Sequence, residues 1–346
     1  MEIKDDRIFI YILQLYGLDR SAFLIERIGT GHIHQTYRLN GKKSYVLQRV
    51  NKNVFKYPEV IASNLRQAGK YLAAHFPEYL FLNSIPSLRK EEMAYDQEGF
   101  PWRLFPYFEN TITVDKVDNA EEAFSAAREF ARLTRYLDGI DVHQFEETIP
   151  QFHDLALRYQ QFETALSEAS SDCIQMAQDC IDACQKANQL VDVYKQLIQN
   201  KSLKLRVTHN DTKINNVLFD KTTRQATCVI DLDTLMPGYF IYDLGDMVRT
   251  FVCPVSEEEP DRSKVVFRKE IYEATLNGYL SQMEEVMSPA EMAAIPLAGK
   301  IMTYIMALRF LADFLRGDTY YHTTYPGQNL VRARNQLTFL EKLQIL

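Results

Sequence analysis

One stretch of this chain collects the side chains that can do chemistry: VTHNDTKINNVLFDKTTRQATCVIDLD, residues 207–233. It opens on His209, Asp211 and Lys213, passes Asn216, and ends on Asp231 and Asp233. Carboxylates and an amide carbonyl are hard oxygen donors, suited to Mg²⁺ and the phosphates it carries. A carboxylate on an attacking hydroxyl, with metal on the phosphate oxygens, is most of what phosphoryl transfer asks of a protein. The intervening sequence says how these residues meet. Val217-Leu218-Phe219 and the run from Ala226 to Ile230 are short and β-rich, and Lys221-Thr222-Thr223-Arg224 between them is a polar turn. Two such runs form a hairpin, which returns both polar ends to one edge. Asp211, Asn216, Asp231 and Asp233 are therefore predicted to converge. The competing reading has them cap turns.

His209-x-Asp211 with Asn216, then Ile230-Asp231 after the hairpin, resembles the catalytic core of small-molecule kinases that share the protein-kinase fold. Aminoglycoside phosphotransferases and choline kinases carry it. Within that group, THNDTKINNVLFD and VIDLDTLMPGYFIYDLGDMVRT most resemble the N-acetylhexosamine 1-kinases. GHIHQTY, YVLQRVN, ETIPQFHD and LRFLADFLRGDTYY extend the resemblance over nearly the whole chain. It implies an α+β, protein-kinase-like two-lobed fold, with a small β-rich N-lobe over 1–107 and a larger, mainly helical C-lobe over 108–346. It implies ATP and Mg²⁺ as cofactors. Asp211 would be the catalytic base, Asn216 and Asp231 metal ligands, and Asp233 a ligand for a second ion or water. His209 and Asp243 would give structural support. The acceptor, the anomeric hydroxyl of an N-acetylhexosamine, is implied by the resemblance alone.

The elements that must position these groups follow from the rest of the chain. Asp5 to Leu18 has helical spacing, with Ile8, Tyr11, Ile12 and Leu15 on one face. A strand begins at Phe23. Gly29 and Gly31 would let backbone approach phosphates closely, although a plain turn reads the same. His34 stands where the protein-kinase loop has a third glycine. The resembled sugar kinases use this loop for phosphates and sugar, which makes His34 a candidate hydroxyl contact. Lys43 to Val50 forms a strand paired with Thr36–Leu39 across Asn40-Gly41, a strong hairpin signal. Protein kinases place a phosphate-binding lysine on this strand. Here it offers Gln48 and Arg49, whose side chains point to opposite faces. The pattern does not decide between them, and Arg49 is favoured because arginine can replace lysine on phosphate. Glu59, early in a helix over 58–76, would be its partner. Met93-Ala94-Tyr95 and Trp102-Arg103-Leu104-Phe105 complete the sheet. Tyr107 and Phe108 then fall at the expected hinge and would wall an adenine, or simply end an aromatic strand.

In the C-terminal part, Ala120 to Leu137 is a helix, and 158–200 reads as two helices in a hairpin. Asp243 reads as an N-cap of a helix opening at Tyr242, and in the resembled kinases an aspartate here braces the catalytic loop. Asp246 is a candidate substrate contact, or half of an ion pair with Arg249 one turn on. Residues 298–315 form a helix apolar on nearly all faces, which is buried in most proteins. Arg309 inside it needs a partner: either Asp313, four residues on, or a sugar. Tyr320, just after this helix, is a further sugar candidate.

Composition excludes several classes. The 346 residues are 46% apolar and 25% charged, an ordinary soluble balance. A net charge of −7 opposes nucleic-acid binding. The N-terminal apolar run is too short to span a bilayer. Five cysteines without a CxxC pair suit a reducing cytoplasm better than zinc or disulfides. Three rivals stand beside the sugar kinase. A kinase of choline, an amino alcohol or an aminoglycoside would need a cage for its cation, which Arg309 opposes. A protein kinase would need a D-F-G triplet and an activation segment between Asp231 and Asp243. A non-catalytic nucleotide-binding protein should have lost Asp211, Asn216 or Asp231. Which hexosamine is used, whether its N-acetyl group is required, and the oligomeric state have no signature in the sequence.

Overall fold

A computed structural model describes residues 6–28, 34–52 and 54–344. Gly29 and Gly31 lie outside the described residues. The N-terminal region is built on one antiparallel sheet of β1 (Leu24–Arg27), β2 (Gln35–Asn40), β3 (Tyr45–Arg49), β4 (Ala94–Tyr95) and β5 (Pro101–Pro106), ordered β1-β2-β3-β5-β4. Successive side chains on a strand point to opposite faces. Tyr37, Leu39, Leu47, Trp102 and Leu104 therefore share one face, where they pack on α1 (Asp6–Leu15) through Phe9, Ile12 and Leu13. Tyr11, expected on the buried face of that helix, is exposed instead. The other face of the sheet carries Gln48 of β3, directly opposite Arg103 of β5. The helix α2 (Pro58–His75) starts with proline in its first turn, where the missing N–H costs nothing.

The remaining region is mainly helical. β6 (Thr111–Ile112) leads to α3 (Ala120–Leu137), whose Asn119 side chain accepts the Glu122 N–H. The stretch expected as two helices is three: α4 (Leu155–Glu168), α5 (Ser171–Lys186) and α6 (Gln189–Gln199). No proline or glycine marks the breaks. The Ser170 side chain makes the first by capping α5, whereas at the second, Asn188 precedes α6 without a side-chain cap. Next come β7 (Arg206–Thr208), then β8 (Val217–Asp220) and β9 (Ala226–Val229), which form the expected hairpin, with β6 pairing along the edge of β8. β10 (Met236–Gly238) pairs with β7 and leads into α7 (Phe240–Phe251).

Three further helices, α8 (Lys269–Met283), α9 (Pro289–Leu315) and α10 (Gln328–Leu343), close the core. A capping box between Ser288 and Glu291 starts α9 well before residue 298. This helix is long and apolar enough to cross a membrane, but 72% of its apolar window is buried within the protein. It packs against α7, and Gly245 permits the close approach, because a Cβ there would lie 2.4 Å from the Ala298 carbonyl oxygen. That packing fixes α7 beneath the segment joining β7 to β8.

Candidate active site

The segment after β7 is held by Asp243. One of its carboxylate oxygens accepts the His209 N–H at 3.0 Å, and the other accepts the Asn210 N–H at 2.7 Å. Thr212 donates its hydroxyl to the Asp243 carbonyl at 2.7 Å. Asn210 has a positive φ of 64° and donates its side-chain amide to the Thr208 and Thr234 carbonyls. Asp243 is not an N-cap as expected. The cap position of α7 falls on Tyr239, and Asp243 sits within the first turn, serving the donors of a neighbouring loop. Burial pushes its carboxyl up to about 6, against the lowering influence of His209 and of the two N–H groups. His209 Nε2 donates to the Ile230 carbonyl at 2.9 Å, while Nδ1 accepts the Asp211 N–H at 3.2 Å. It thus ties the loop to the end of β9. Below it, His153 donates to the Asn210 carbonyl at 2.8 Å, and burial drops its pKa to about 3, so it is neutral.

This bracing presents Asp211. Burial raises its pKa, but Lys213, His209 and Arg249 together outweigh that and hold it below the usual carboxylate range. Lys213 Nζ is 3.2 Å from Asp211 Oδ1. Asn216 turns its amide nitrogen toward Asp211, donating to the carbonyl at 2.9 Å and to Oδ2 at 3.1 Å. Its amide oxygen is left for a cation. Asp231 has a left-handed backbone, φ 57°, and an exposed side chain. Among the described residues, no hydrogen bond reaches its carboxylate. Surrounding protein and the charges of Asp233 and Asp211 raise its pKa. An open carboxylate facing two others, beside an amide oxygen, is a donor set that fits a hard divalent cation.

Asp233 is placed differently from the metal ligand expected. His34 Nε2 is 2.6 Å from its Oδ2, and Arg103 Nη1 is 2.5 Å from its Oδ1. Burial would raise this carboxyl, but Arg103 and His34 hold it far below the usual range. The ligand atoms of His34, Asp231 and Asp233 lie within 4.8 Å of one another, a metal-like spacing. The histidine tautomer argues against that use. The Asn51 N–H donates to Nδ1 at 3.0 Å, so the ring proton sits on Nε2, facing Asp233. A metal at Nε2 would leave the ring without a proton. For the same reason His34 has no nitrogen free for a sugar hydroxyl, contrary to the hydroxyl contact expected of it.

Arg49 does not reach the cleft. Its guanidinium contacts Asp96 at 3.2 Å and Glu98 at 3.0 Å, and lies 3.6 Å from the Phe100 ring centre. Glu59 is not its partner. Strand alternation turns Gln48 to the cleft instead, where Gln48 Oε1 accepts from Arg103 Nε at 2.8 Å and Nη2 at 2.5 Å. Arg103 was missed in the sequence, although a lone arginine in the apolar run PWRLFP was a signal. Tyr107 and Phe108 follow β5. The Tyr107 N–H donates to Ser44, and the Arg38 guanidinium lies 3.9 Å from the ring centre.

On the acceptor side, Arg309 does not pair with Asp313. Both oxygens of Asp313 accept elsewhere: Thr319, Tyr320 and Tyr321 backbone N–H groups and the Asn329 amide. Asp313 thereby shapes the turn after α9. Arg309 lies 4.9 Å from the Phe152 ring centre and 5.5 Å from that of Tyr321. Among the described residues, no carboxylate comes within 4.0 Å of it. Arg158 is close by, and burial followed by the Arg309 charge lowers its pKa to about 10. Tyr320 points to solvent, 65% exposed, so Tyr321 and Phe152 are the rings beside Arg309. Asp246 is buried and accepts from Arg249 Nε and Nη2 at 3.0 and 2.8 Å, while Arg249 Nη1 donates to Glu257 at 2.6 Å.

The fold recurs in solved structures. Amicoumacin kinase hAmiN in complex with AMP-PNP, Ca²⁺ and Ami matches with a TM-score of 0.66 at 14% identity, over 98% of this chain and 94% of that one. A microcompartment-associated aminopropanol kinase matches with a TM-score of 0.63 at 15% identity, over 98% and 97%. Choline kinase from Cryptosporidium parvum Iowa II matches with a TM-score of 0.57 at 14% identity, over 99% and 96%. At these identities the likeness establishes an α+β, protein-kinase-like fold. The sequence pattern of the phosphotransferase enzyme family, APH, matches residues 24–285, a span that includes the braced loop, the hairpin and Asp243, and this chain belongs to that family.

Proposed function

We propose that this chain transfers the γ-phosphoryl group of ATP to the anomeric hydroxyl of an N-acetylhexosamine, releasing ADP and the sugar 1-phosphate. Asp211, kept ionised beside Lys213, takes the hydroxyl proton. Asn216 and Asp231 would hold Mg²⁺, which neutralises charge on the phosphate oxygens. The observation that carries the acceptor reading is Arg309. It stands without a carboxylate partner among the described residues, between the rings of Phe152 and Tyr321. A guanidinium flanked by flat apolar faces suits a neutral polyhydroxyl ring, giving donors to oxygens and surfaces to C–H groups. It repels a cationic acceptor. The nearby carboxylates Asp246 and Glu257 share the single guanidinium of Arg249, and Asp246 Oδ2, buried without a hydrogen-bond partner among the described residues, is the acceptor left for a substrate hydroxyl or, in the second reading, an ammonium.

The test is ATP consumption with Mg²⁺ against a panel of hexosamines, N-acetylhexosamines, choline, amino alcohols and aminoglycosides. Turnover confined to N-acetylhexosamines, with loss on capping the anomeric hydroxyl as a methyl glycoside, is the expected result. Turnover of the cationic alcohols alone would sink the acceptor assignment and favour the second reading, a kinase of the kind that the aminopropanol and choline kinase structures are named for.

A further inference from the structure

Two aspartates sit two residues apart at the end of the hairpin, and their surroundings differ. Asp231 is open and has no hydrogen-bond partner among the described residues. Asp233 is 2% exposed, and each of its oxygens meets a cationic or proton-donating group that is itself buried. Those groups come from the other lobe: His34 immediately precedes β2, and Arg103 lies on β5. Both are held from behind. The Asn51 N–H fixes the His34 tautomer, and Phe55 stacks on the ring at 5.4 Å. Gln48 takes two donors of Arg103 on one oxygen and donates its own amide to Thr36 at 2.9 Å. The chain Thr36–Gln48–Arg103–Asp233–His34 therefore runs from the sheet across the cleft and back.

We propose that Asp233 is a positioning residue rather than a metal ligand: with His34, Arg103 and Gln48 it forms a latch that fixes the small lobe over the Asp211 loop. A buried carboxylate stripped of its cations is costly, and the same holds for a stripped guanidinium. The lobes thus keep this spacing because separating them would strand charges on both sides. The latch also neutralises Asp233, which leaves Asp231 as the carboxylate available to metal. The kinetic arm of the test rests on the phosphotransfer reading; the metal-binding and hydrogen-exchange arms do not.

Asp233→Asn, Arg103→Gln and the double variant distinguish the roles. The latch predicts that each single variant speeds amide exchange in β2 and β3 of the ligand-free protein by about tenfold or more. It predicts that the Mg²⁺ concentration for half-maximal binding of a non-hydrolysable ATP analogue stays within about twofold. It predicts that the double variant loses little more kcat/KM than the worse single one, since the two residues act as one unit. A tenfold higher Mg²⁺ requirement in Asp233→Asn, not shared by Arg103→Gln, would overturn the proposal and restore Asp233 as a metal ligand. Multiplicative losses in the double variant would overturn it too. If Arg103→Gln does not fold, Gln48→Met serves instead: it keeps every charge and removes only the group that aims Arg103. Unchanged exchange in that variant counts against the latch. Failure of every sugar to turn over would sink the acceptor reading while leaving the exchange and Mg²⁺ results to decide this one.

Discussion

Lys213 Nζ lies 3.2 Å from Asp211 Oδ1, so the candidate base carries its own counter-charge. Burial alone would raise that carboxyl, and the lysine is the foremost reason it lies low instead. A group with a depressed folded-state pKa is ionised throughout the neutral range. Asp211→Asn removes the proton acceptor and keeps the shape. Turnover is expected to fall roughly 10²–10⁴-fold, while calorimetry finds nucleotide affinity little changed. Near-full turnover would rule Asp211 out as the base.

Asp231→Asn replaces the open, charged oxygen donor with a neutral one. Its raised pKa reports, after desolvation, repulsion from Asp233 and Asp211, which a bound cation would relieve. Weaker nucleotide binding is expected at limiting Mg²⁺, recovering in part as Mg²⁺ is increased. An unaltered Mg²⁺ dependence in calorimetric titrations would defeat the assignment.

Arg309→Leu separates binding from folding. Because Asp313 is satisfied by backbone and Asn329, losing Arg309 strands no buried carboxylate. The melting temperature should hardly change, and the KM for sugar should rise about ten- to hundredfold, the equivalent of losing a charged hydrogen bond of about 1.5–3 kcal/mol. Asp313→Ala should do the reverse first, lowering the melting temperature by releasing the turn at Thr319. A destabilised Arg309→Leu with an unaltered KM would make that arginine structural.

Asp243 sets a pH limit. Its carboxyl is buried, faces His209 and Asp246, and titrates near 6, above its ordinary range. When protonated it would turn an O–H toward one of the N–H groups it now accepts, and the bracing of His209 and Asn210 weakens. kcat/KM is therefore expected to fall with a midpoint near pH 6. The stability effect has the opposite sign. A raised folded-state pKa means that the ionised group costs stability at neutral pH, roughly 3 kcal/mol, and the cost fades as pH falls from about 6 to the ordinary carboxylate value near 4. Asp243→Asn should show low activity without that acid limb. An unchanged midpoint in the variant would assign the limb to another group.

The hairpin, the β2–β3 pairing and α3 were legible in the chain because each is a local matter of periodicity and turn chemistry. So were the members of the polar cluster, since Asp211, Asn216 and Asp231 sit at spacings a hairpin must fold together. What the side chains do with one another was not legible. Adjacent positions on β3 face opposite ways, and only the packing of Leu47 against α1 decided that Gln48, not Arg49, meets the cleft. The sequence offered Asp313 as the neighbour of Arg309 at helical spacing, but three backbone N–H groups of the following turn claimed it. Likewise, no local pattern could pair Asp233 with His34, 199 residues away, or give it Arg103. Local spacing determines which elements form and which chemical groups they carry. Competition among donors and charges from distant elements, for a limited number of buried oxygens, is settled only when the tertiary structure brings them together.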